Sequence, residues 1–178
     1  MAQVRPVPFF LKKGFELVGW ILYNGKMIKK EVVTNSPEET KKIGFLMGKK
    51  VIEKQKKFFL SLSGDLGGGK TTFTQGFAEG VGVEENITSP TFLVFKKYKT
   101  KNNKYLYHFD AYRIEDKDLS VLGFQEIINN EENIVVVEWG ENIKKSLPEK
   151  SAEIHFEFKD DKRRRLIIQG DGDIIDKL

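Results

Sequence analysis

Residues 64–71 read Gly-Asp-Leu-Gly-Gly-Gly-Lys-Thr, and this octapeptide constrains the fold more than any other stretch of the chain. It fits G-x-x-x-x-G-K-[ST], in which each fixed position has a physical task. Gly64, Gly67, Gly68 and Gly69 can take backbone angles closed to residues with a Cβ, so several N–H groups can converge on one anion. Lys70 supplies a compact positive charge for the β- and γ-phosphates of a nucleotide, and the Thr71 hydroxyl is a ligand for Mg2+. The pattern means this only between a strand and a helix. Residues 58–62, Phe-Phe-Leu-Ser-Leu, read as a short buried strand. Apolar residues at 73, 77, 78 and 81 then have helical spacing, closed by Gly80 and Gly82. The helix adds its positive end to the site. Strand, loop and helix together predict a nucleoside triphosphate site formed by Asp65, Leu66, Gly67, Gly68, Gly69, Lys70, Thr71 and Thr72.

The length suits one compact domain. There is no cysteine, which excludes disulfides, thiolate metal sites and cysteine nucleophiles. Two histidines are too few for a histidine-rich metal centre. The net charge of +4 permits contact with nucleic acid without arguing for it, because lysine is spread along the chain. Residues 15–23 are apolar apart from Glu16, yet far too short to cross a bilayer, and no small-residue cleavage site follows. Neither a membrane span nor a secretory leader is expected, and a cytoplasmic location is. Met27 begins M-I-K-K-E-V-V-T-N-S, which looks like a natural start. Residues 1–26 are therefore expected to be an extension, dispensable to a single domain at 27–178, with an upstream start codon as one source.

Residues 28–34 can form a strand. Ser36-Pro37-Glu38-Glu39 is a strong helix start: serine at the cap, proline at the first helical position, and a glutamate to close a capping box. Ile43, Leu46 and Met47 make that helix's buried stripe, and Gly48 is expected to begin its decay. Residues 89–92, Ser-Pro-Thr-Phe, form a loop, and residues 93–99 and 105–110 pair as a hairpin around Asn102-Asn103. Leu119, Leu122, Phe124, Ile127 and Ile128 suggest a helix interrupted at Gly123. The unbroken run Ile134-Val135-Val136-Val137 marks a strand buried on both faces of a parallel sheet. Residues 151–158 and 164–169 flank Asp160-Asp161 as a terminal hairpin. The sum is a P-loop NTPase-like α/β sandwich, a mixed sheet with a parallel core and antiparallel edge strands.

Such a loop needs an acidic partner at the end of a neighbouring strand, to hold Mg2+ through water or to orient the attacking water. Glu138 follows the β-branched run, and Asp110 ends Tyr105-Leu106-Tyr107-His108-Phe109. Both should reach the carboxyl edge of the sheet, where α/β ligand sites are built. For each, a solvated strand terminus is the plainer alternative.

In order and spacing, G-D-L-G-G-G-K-T-T-F-T-Q-G, S-P-T-F, H-F-D-A-Y-R and E-W-G-E resemble the TsaE (YjeE) family of small bacterial P-loop ATPases. Glu39-Thr40 and Gly44 fit that family's E-T-x-x-x-G, and the likeness runs from Thr34 to Arg165. Gly68 stands where alanine is common, and Gly140 where proline is common. The resemblance implies a role in making threonylcarbamoyladenosine on tRNAs that read A-starting codons, together with TsaB and TsaD subunits. In that scheme ATP hydrolysis resets the complex rather than driving the transfer chemistry. It further implies that Lys70 binds the phosphates of ATP and that Thr71 and Glu138 serve the Mg2+. Asp110 becomes a second acid on the γ-phosphate side, with the division of duties between the two acids open. Thr91 resembles a switch-loop threonine that senses the γ-phosphate, and Thr40 joins the nucleotide-binding set.

Other residues have plainer readings beside the functional ones. His108 should share the strand face of Asp110, within reach of a local hydrogen bond, although a structural histidine is the simpler view. Trp139 reads equally as a residue that reports on the site or touches a partner and as a core tryptophan. Tyr112 and Arg113 order the loop after Asp110, or Arg113 reaches phosphate. Arg163-Arg164-Arg165 reads first as a solvated hairpin strand, and any tRNA contact is expected to be indirect. Three activities fit: a partner-activated ATPase, a small-molecule kinase sharing the loop, and an ATP-dependent scaffold with negligible turnover. The kinase lacks an obvious lid insertion. A GTPase is disfavoured because no N-K-x-D follows the loop.

Overall fold

The computed structural model describes residues 16–23 (backbone only), 27–55, 57–90, 93–176 and 178. In chain order these form β1 (Glu16–Tyr23), β2 (Met27–Thr34), α1 (Pro37–Lys54), β3 (Phe58–Gly64), α2 (Lys70–Gly80), β4 (Phe95–Lys99) and β5 (Tyr105–Asp110). There follow α3 (Phe124–Asn129), β6 (Asn133–Glu138), β7 (Ala152–Phe158), β8 (Arg164–Asp171) and α4 (Gly172–Ile175). Among the described residues one sheet runs β1-β2-β8-β7-β3-β6-β5-β4. β3 pairs in parallel with both β6 and β7, and β5 with β6. The remaining pairs are antiparallel, so the parallel core and antiparallel edges expected from the sequence are present.

The side-chain period of two sorts the central strands between two cores. On β6, Ile134 and Val136 join the core beneath α1 and α2, while Val135 and Val137 face the core that contains Phe124 of α3. All six β6 residues are buried, which explains the absence of polar alternation in its sequence. The first core is rich in aromatic rings, with Phe73 and Phe77 on α2 stacked near Phe58 and Phe156 of the sheet.

Helix α1 begins as its sequence predicts. The Ser36 hydroxyl accepts the Glu39 N–H at 3.3 Å, with Pro37 at the first position. The box closes one residue early, however: the Glu39 carboxylate accepts the Asn35 N–H at 2.7 Å. Gly48 does not begin the helix's decay, since α1 continues to Lys54. Its role is close packing. A Cβ on Gly44 would stand 2.2 Å from the Phe73 carbonyl oxygen, and one on Gly48 would stand 2.3 Å from that of Phe77. Across the contact, a Cβ on Gly76 would lie 1.9 Å from the Lys41 oxygen, and one on Gly80 would lie 2.3 Å from the Phe45 oxygen. Both helices thus leave out side chains at every fourth residue so that their backbones can touch.

This packing makes a direct prediction. Gly76→Ala would gain about 1 kcal/mol of helix propensity, but overpacking against a backbone oxygen costs about 1–3 kcal/mol and should exceed it. We expect a net loss of about 1–2 kcal/mol, a fall in Tm of roughly 2–8 °C by calorimetry. An unchanged or raised Tm would contradict the close-packed helix pair.

Two further boundaries differ from sequence expectation. β4 starts at Phe95 rather than Leu93, because Val94 takes a left-handed conformation (φ 70°) and Leu93 and Val94 both donate to the Pro90 carbonyl at 2.7 and 2.8 Å. The helix expected across residues 119–128 is confined to α3, with Gly123 at φ 62° forming its start. Residues 1–15 and 24–26 of the expected extension lie outside the described residues. Its described part, β1, pairs with β2 from Glu16 opposite Val33 to Tyr23 opposite Met27. No helix among the described residues is long and apolar enough to cross a membrane.

Candidate nucleotide site

The parallel register brings the sequence-selected residues together at one edge. Leu62 and Asp110 both stand opposite Glu138, so the two acids lie side by side on neighbouring strands, two residues short of the end of β3. Here β3 becomes the phosphate loop and then α2. A cleft of about 420 Å³ is lined by residues 66–72, Ser89, Asp110, Tyr112, Glu138 and Trp139. A larger cavity of about 790 Å³ lies at the opposite sheet edge, around Phe58, Asn133 and Ala152, and holds none of the residues selected from sequence.

The loop uses its glycines as the sequence requires. Gly64, Gly67 and Gly69 have φ of 111°, 76° and 102°, and Gly69 is the N-cap of α2. A Cβ on Gly68 would come within 2.9 Å of the Asp65 carbonyl oxygen, an acceptor that the Gly68 N–H itself uses at 3.0 Å. Lys70, 4 % exposed, donates to the carbonyls of Gly64 (2.5 Å) and Asp65 (2.8 Å), and its ammonium sits 3.6 Å from the centre of the Trp139 ring. Burial lowers the Lys70 pKa, and the charges of Glu138, Glu141, Asp65 and Asp110 pull it back up.

Glu138 is buried and has a partner on each oxygen. Oε2 accepts from the Thr71 hydroxyl at 2.8 Å; Oε1 accepts from Thr74 at 3.1 Å and lies 2.8 Å from His108 Nε2. Asp110 belongs to a different set: Oδ2 accepts from Ser89 at 2.6 Å and Oδ1 from the Tyr112 N–H at 3.0 Å. The chain then turns sharply. Trp139 is left-handed at φ 63°, its ring meets that of Tyr112 at 4.9 Å between centroids with a 54° tilt, and a Cβ on Gly140 would stand 2.0 Å from Ser61 Oγ. Glu141 accepts the Gly64 N–H at 3.1 Å, and Asn142 donates to the Ala111 carbonyl at 3.0 Å. The E-W-G-E segment thereby clamps both the phosphate loop and the loop after Asp110.

The other residues weighed from the sequence fall in different places. His108 bonds Glu138 on the neighbouring strand instead of Asp110 on its own. Thr40 is buried, with its hydroxyl 2.8 Å from that of Thr34 and 3.3 Å from the Ser36 carbonyl; its methyl group faces Gly69, so it backs the loop. Thr91 lies outside the described residues. Arg163 is paired with Asp160, whose carboxyl the Arg163 and Lys162 hydrogen bonds pull down to about 2. Arg165 bridges Glu31 and Glu157, and Arg164 covers the Phe158 ring, which is the hairpin reading of this cluster. Thr74, Ser89 and Glu141 were not selected from sequence. Thr74 follows Lys70 by one helical turn, a spacing that could have found it.

A phosphate loop running from a central parallel strand into a helix, with acids at the ends of the next two strands, β6 and β5, defines a P-loop NTPase-like α/β protein. The comparisons narrow this class. Residues 34–167 match the family model described as "Threonylcarbamoyl adenosine biosynthesis protein TsaE". A tRNA threonylcarbamoyladenosine biosynthesis protein TsaE from Bacillus subtilis is 37% identical over 145 residues, 82% of this chain and 88% of that protein. The protein of the same name from Haemophilus influenzae is 36% identical over 110 residues, 61% of this chain and 68% of its own. The crystal structure of Bacillus subtilis YdiB superposes with a TM-score of 0.64 at 34% identity, covering 84% of this chain and 90% of that one. The chain belongs to the TsaE family.

Proposed function

We propose that this protein is the ATP-binding and ATP-hydrolysing subunit of the machinery that forms threonylcarbamoyladenosine on tRNA, activated by TsaB and TsaD subunits and resetting their complex. The observation that carries the reading is the convergence of Lys70 and Thr71 with Glu138 and Asp110 in one cleft. The donor set fits a nucleoside triphosphate with Mg2+: a glycine loop with Gly64, Gly67 and Gly69 at positive φ, one ammonium, the Thr71 hydroxyl and two acids. Among the described residues no group of three His, Cys, Asp or Glu side chains forms a protein cage. Mg2+ commonly keeps several waters and takes one or two protein ligands plus phosphate oxygens, which suits this set. When bound, it supplies charge neutralisation across the β- and γ-phosphates.

The chain's own residues divide the rest of the work. Two of the three Lys70 N–H donors are held by loop carbonyls, which aims the third. The backbone N–H groups of Gly67, Gly69, Lys70 and Thr71 and the positive end of α2 would surround the phosphates, the Gly68 N–H being held by the Asp65 carbonyl. Glu138, bonded to Thr71, is the acid on the metal side. Asp110 holds the loop from Ser89 and orients the attacking water beside the γ-phosphate. Asp110 itself ends β5, but its carboxylate is bonded to Ser89 and Tyr112 on loops, so a partner that orders those loops would complete the site, as in other switch proteins. ATP, rather than another nucleoside triphosphate, rests on family membership. β1 is separated from β3 by three intervening strands and has no part in this reading.

The test is threonylcarbamoyladenosine formation on tRNA by TsaB and TsaD, with and without this protein and ATP. Repeated turnover should require both, and Lys70→Ala should leave only the first turnover. Equal multi-turnover rates without this protein would overturn the proposal.

A further inference from the structure

We infer that His108 is a positioning residue for Glu138: its Nε2–H holds Oε1 and thereby turns Oε2 toward Thr71 and the nucleotide. The inference rests on the ATPase reading of the cleft. His108 stands opposite Val136 in the β5–β6 register, two residues before the Asp110–Glu138 pair, so its ring lies on the strand face that carries both acids. It has no solvent exposure, and its Nε2 lies 2.8 Å from Glu138 Oε1.

Three features separate this from a histidine that merely fills the core. First, Nδ1 is buried without a partner among the described residues. An orphaned buried N–H is rarer in folded proteins than an acceptor lone pair short of a partner, so the proton belongs on Nε2, where it is donated to the carboxylate. Second, most side-chain hydrogen bonds go to backbone or water, whereas the bond of this ring goes to the acid at the cleft. Third, Oε1 is doubly held. The Thr74 hydroxyl shares its one proton between Oε1 at 3.1 Å and the Lys70 carbonyl at 3.0 Å, which ties Oε1 to the first turn of α2. Among the described residues Oε2 has one partner, Thr71, and that partner lines the nucleotide cleft. Strand pairing fixes only the Glu138 backbone; His108 and Thr74 fix which oxygen faces the phosphates.

The test compares His108→Leu, His108→Gln and His108→Asn in the full chain with TsaB and TsaD present. A glutamine amide reaches as far as Nε2, whereas an asparagine amide ends at the depth of Nδ1. His108→Leu should lower kcat for ATP hydrolysis about 10–100-fold, the usual cost of losing the partner that orients a ligating side chain. Affinity for a fluorescent ATP analogue in EDTA should stay within about 3-fold. The Mg2+ concentration at the midpoint of analogue binding in the presence of metal should rise. His108→Gln should restore both kcat and that midpoint, and His108→Asn should restore neither. Wild-type kcat in the leucine variant would overturn the inference. So would glutamine and asparagine variants that lose activity equally and in step with their melting temperatures, a comparison that stands even where leucine does not fold. Glu138→Gln is run beside them. If it hydrolyses normally, the reading of Glu138 itself fails; if it is inactive while His108→Leu is normal, only the positioning role fails.

Discussion

Replacing Lys70 with alanine is expected to weaken ATP binding by about 100-fold or more, a loss of roughly 2.7 kcal/mol. Two unit charges 4 Å apart interact by about 4 kcal/mol at the effective dielectric of a protein surface, and the phosphate chain carries more than one charge. The cost of burying the ammonium is already incurred in the folded protein, where two carbonyl bonds, the Trp139 ring and four nearby acids offset it in part and leave the Lys70 pKa below the usual lysine value. Little of the attraction is therefore spent on reorganisation when phosphate arrives. Alanine also leaves a hole against Trp139, so Lys70→Met, which keeps an apolar stem, isolates the charge. Both variants should lose affinity alike in calorimetric titration while the methionine variant keeps its Tm. Near-normal affinity in Lys70→Met would mean that the loop backbone alone binds the nucleotide.

Glu138→Gln should separate binding from hydrolysis. The amide keeps the size of the side chain, but its nitrogen cannot accept from Thr71, Thr74 or His108, and the negative charge beside the Thr71 hydroxyl is gone. Losing one well-placed electrostatic group at a reacting centre commonly costs about 10²–10³ in kcat, or 2.7–4 kcal/mol. We expect hydrolysis to fall by that factor, with ATP affinity within about 10-fold of wild type, since the Lys70 and backbone contacts remain. The measurement is single-turnover hydrolysis at saturating protein beside equilibrium binding. Normal hydrolysis would exclude Glu138 and transfer the catalytic duty to Asp110.

The parts of this site that were legible in the sequence are those whose chemistry is local. The glycine–lysine–threonine loop states its own conformation, and the β-branched run before Glu138 announces a strand buried on both faces. A carboxylate at the end of such a strand has few places to go. What the sequence hid depends on neighbours in space. Which acid His108 would meet turned on the β5–β6 register, and a side chain 30 residues away competed successfully with one two residues away. Gly48 looked like a helix terminator because the surface against which it packs, the Phe77 carbonyl on α2, is nowhere near it in the chain. Val94 was read as strand because a β-branched residue rarely accepts a positive φ; the turn around the Pro90 carbonyl imposes it.

The measurement that tests the central claim most directly is steady-state ATP hydrolysis by the purified protein, alone and then with TsaB and TsaD, with Lys70→Ala as the blank. The account predicts slow turnover alone, a clear rise with the partners, and no rise in the blank. Fast turnover that the partners leave unchanged would contradict it.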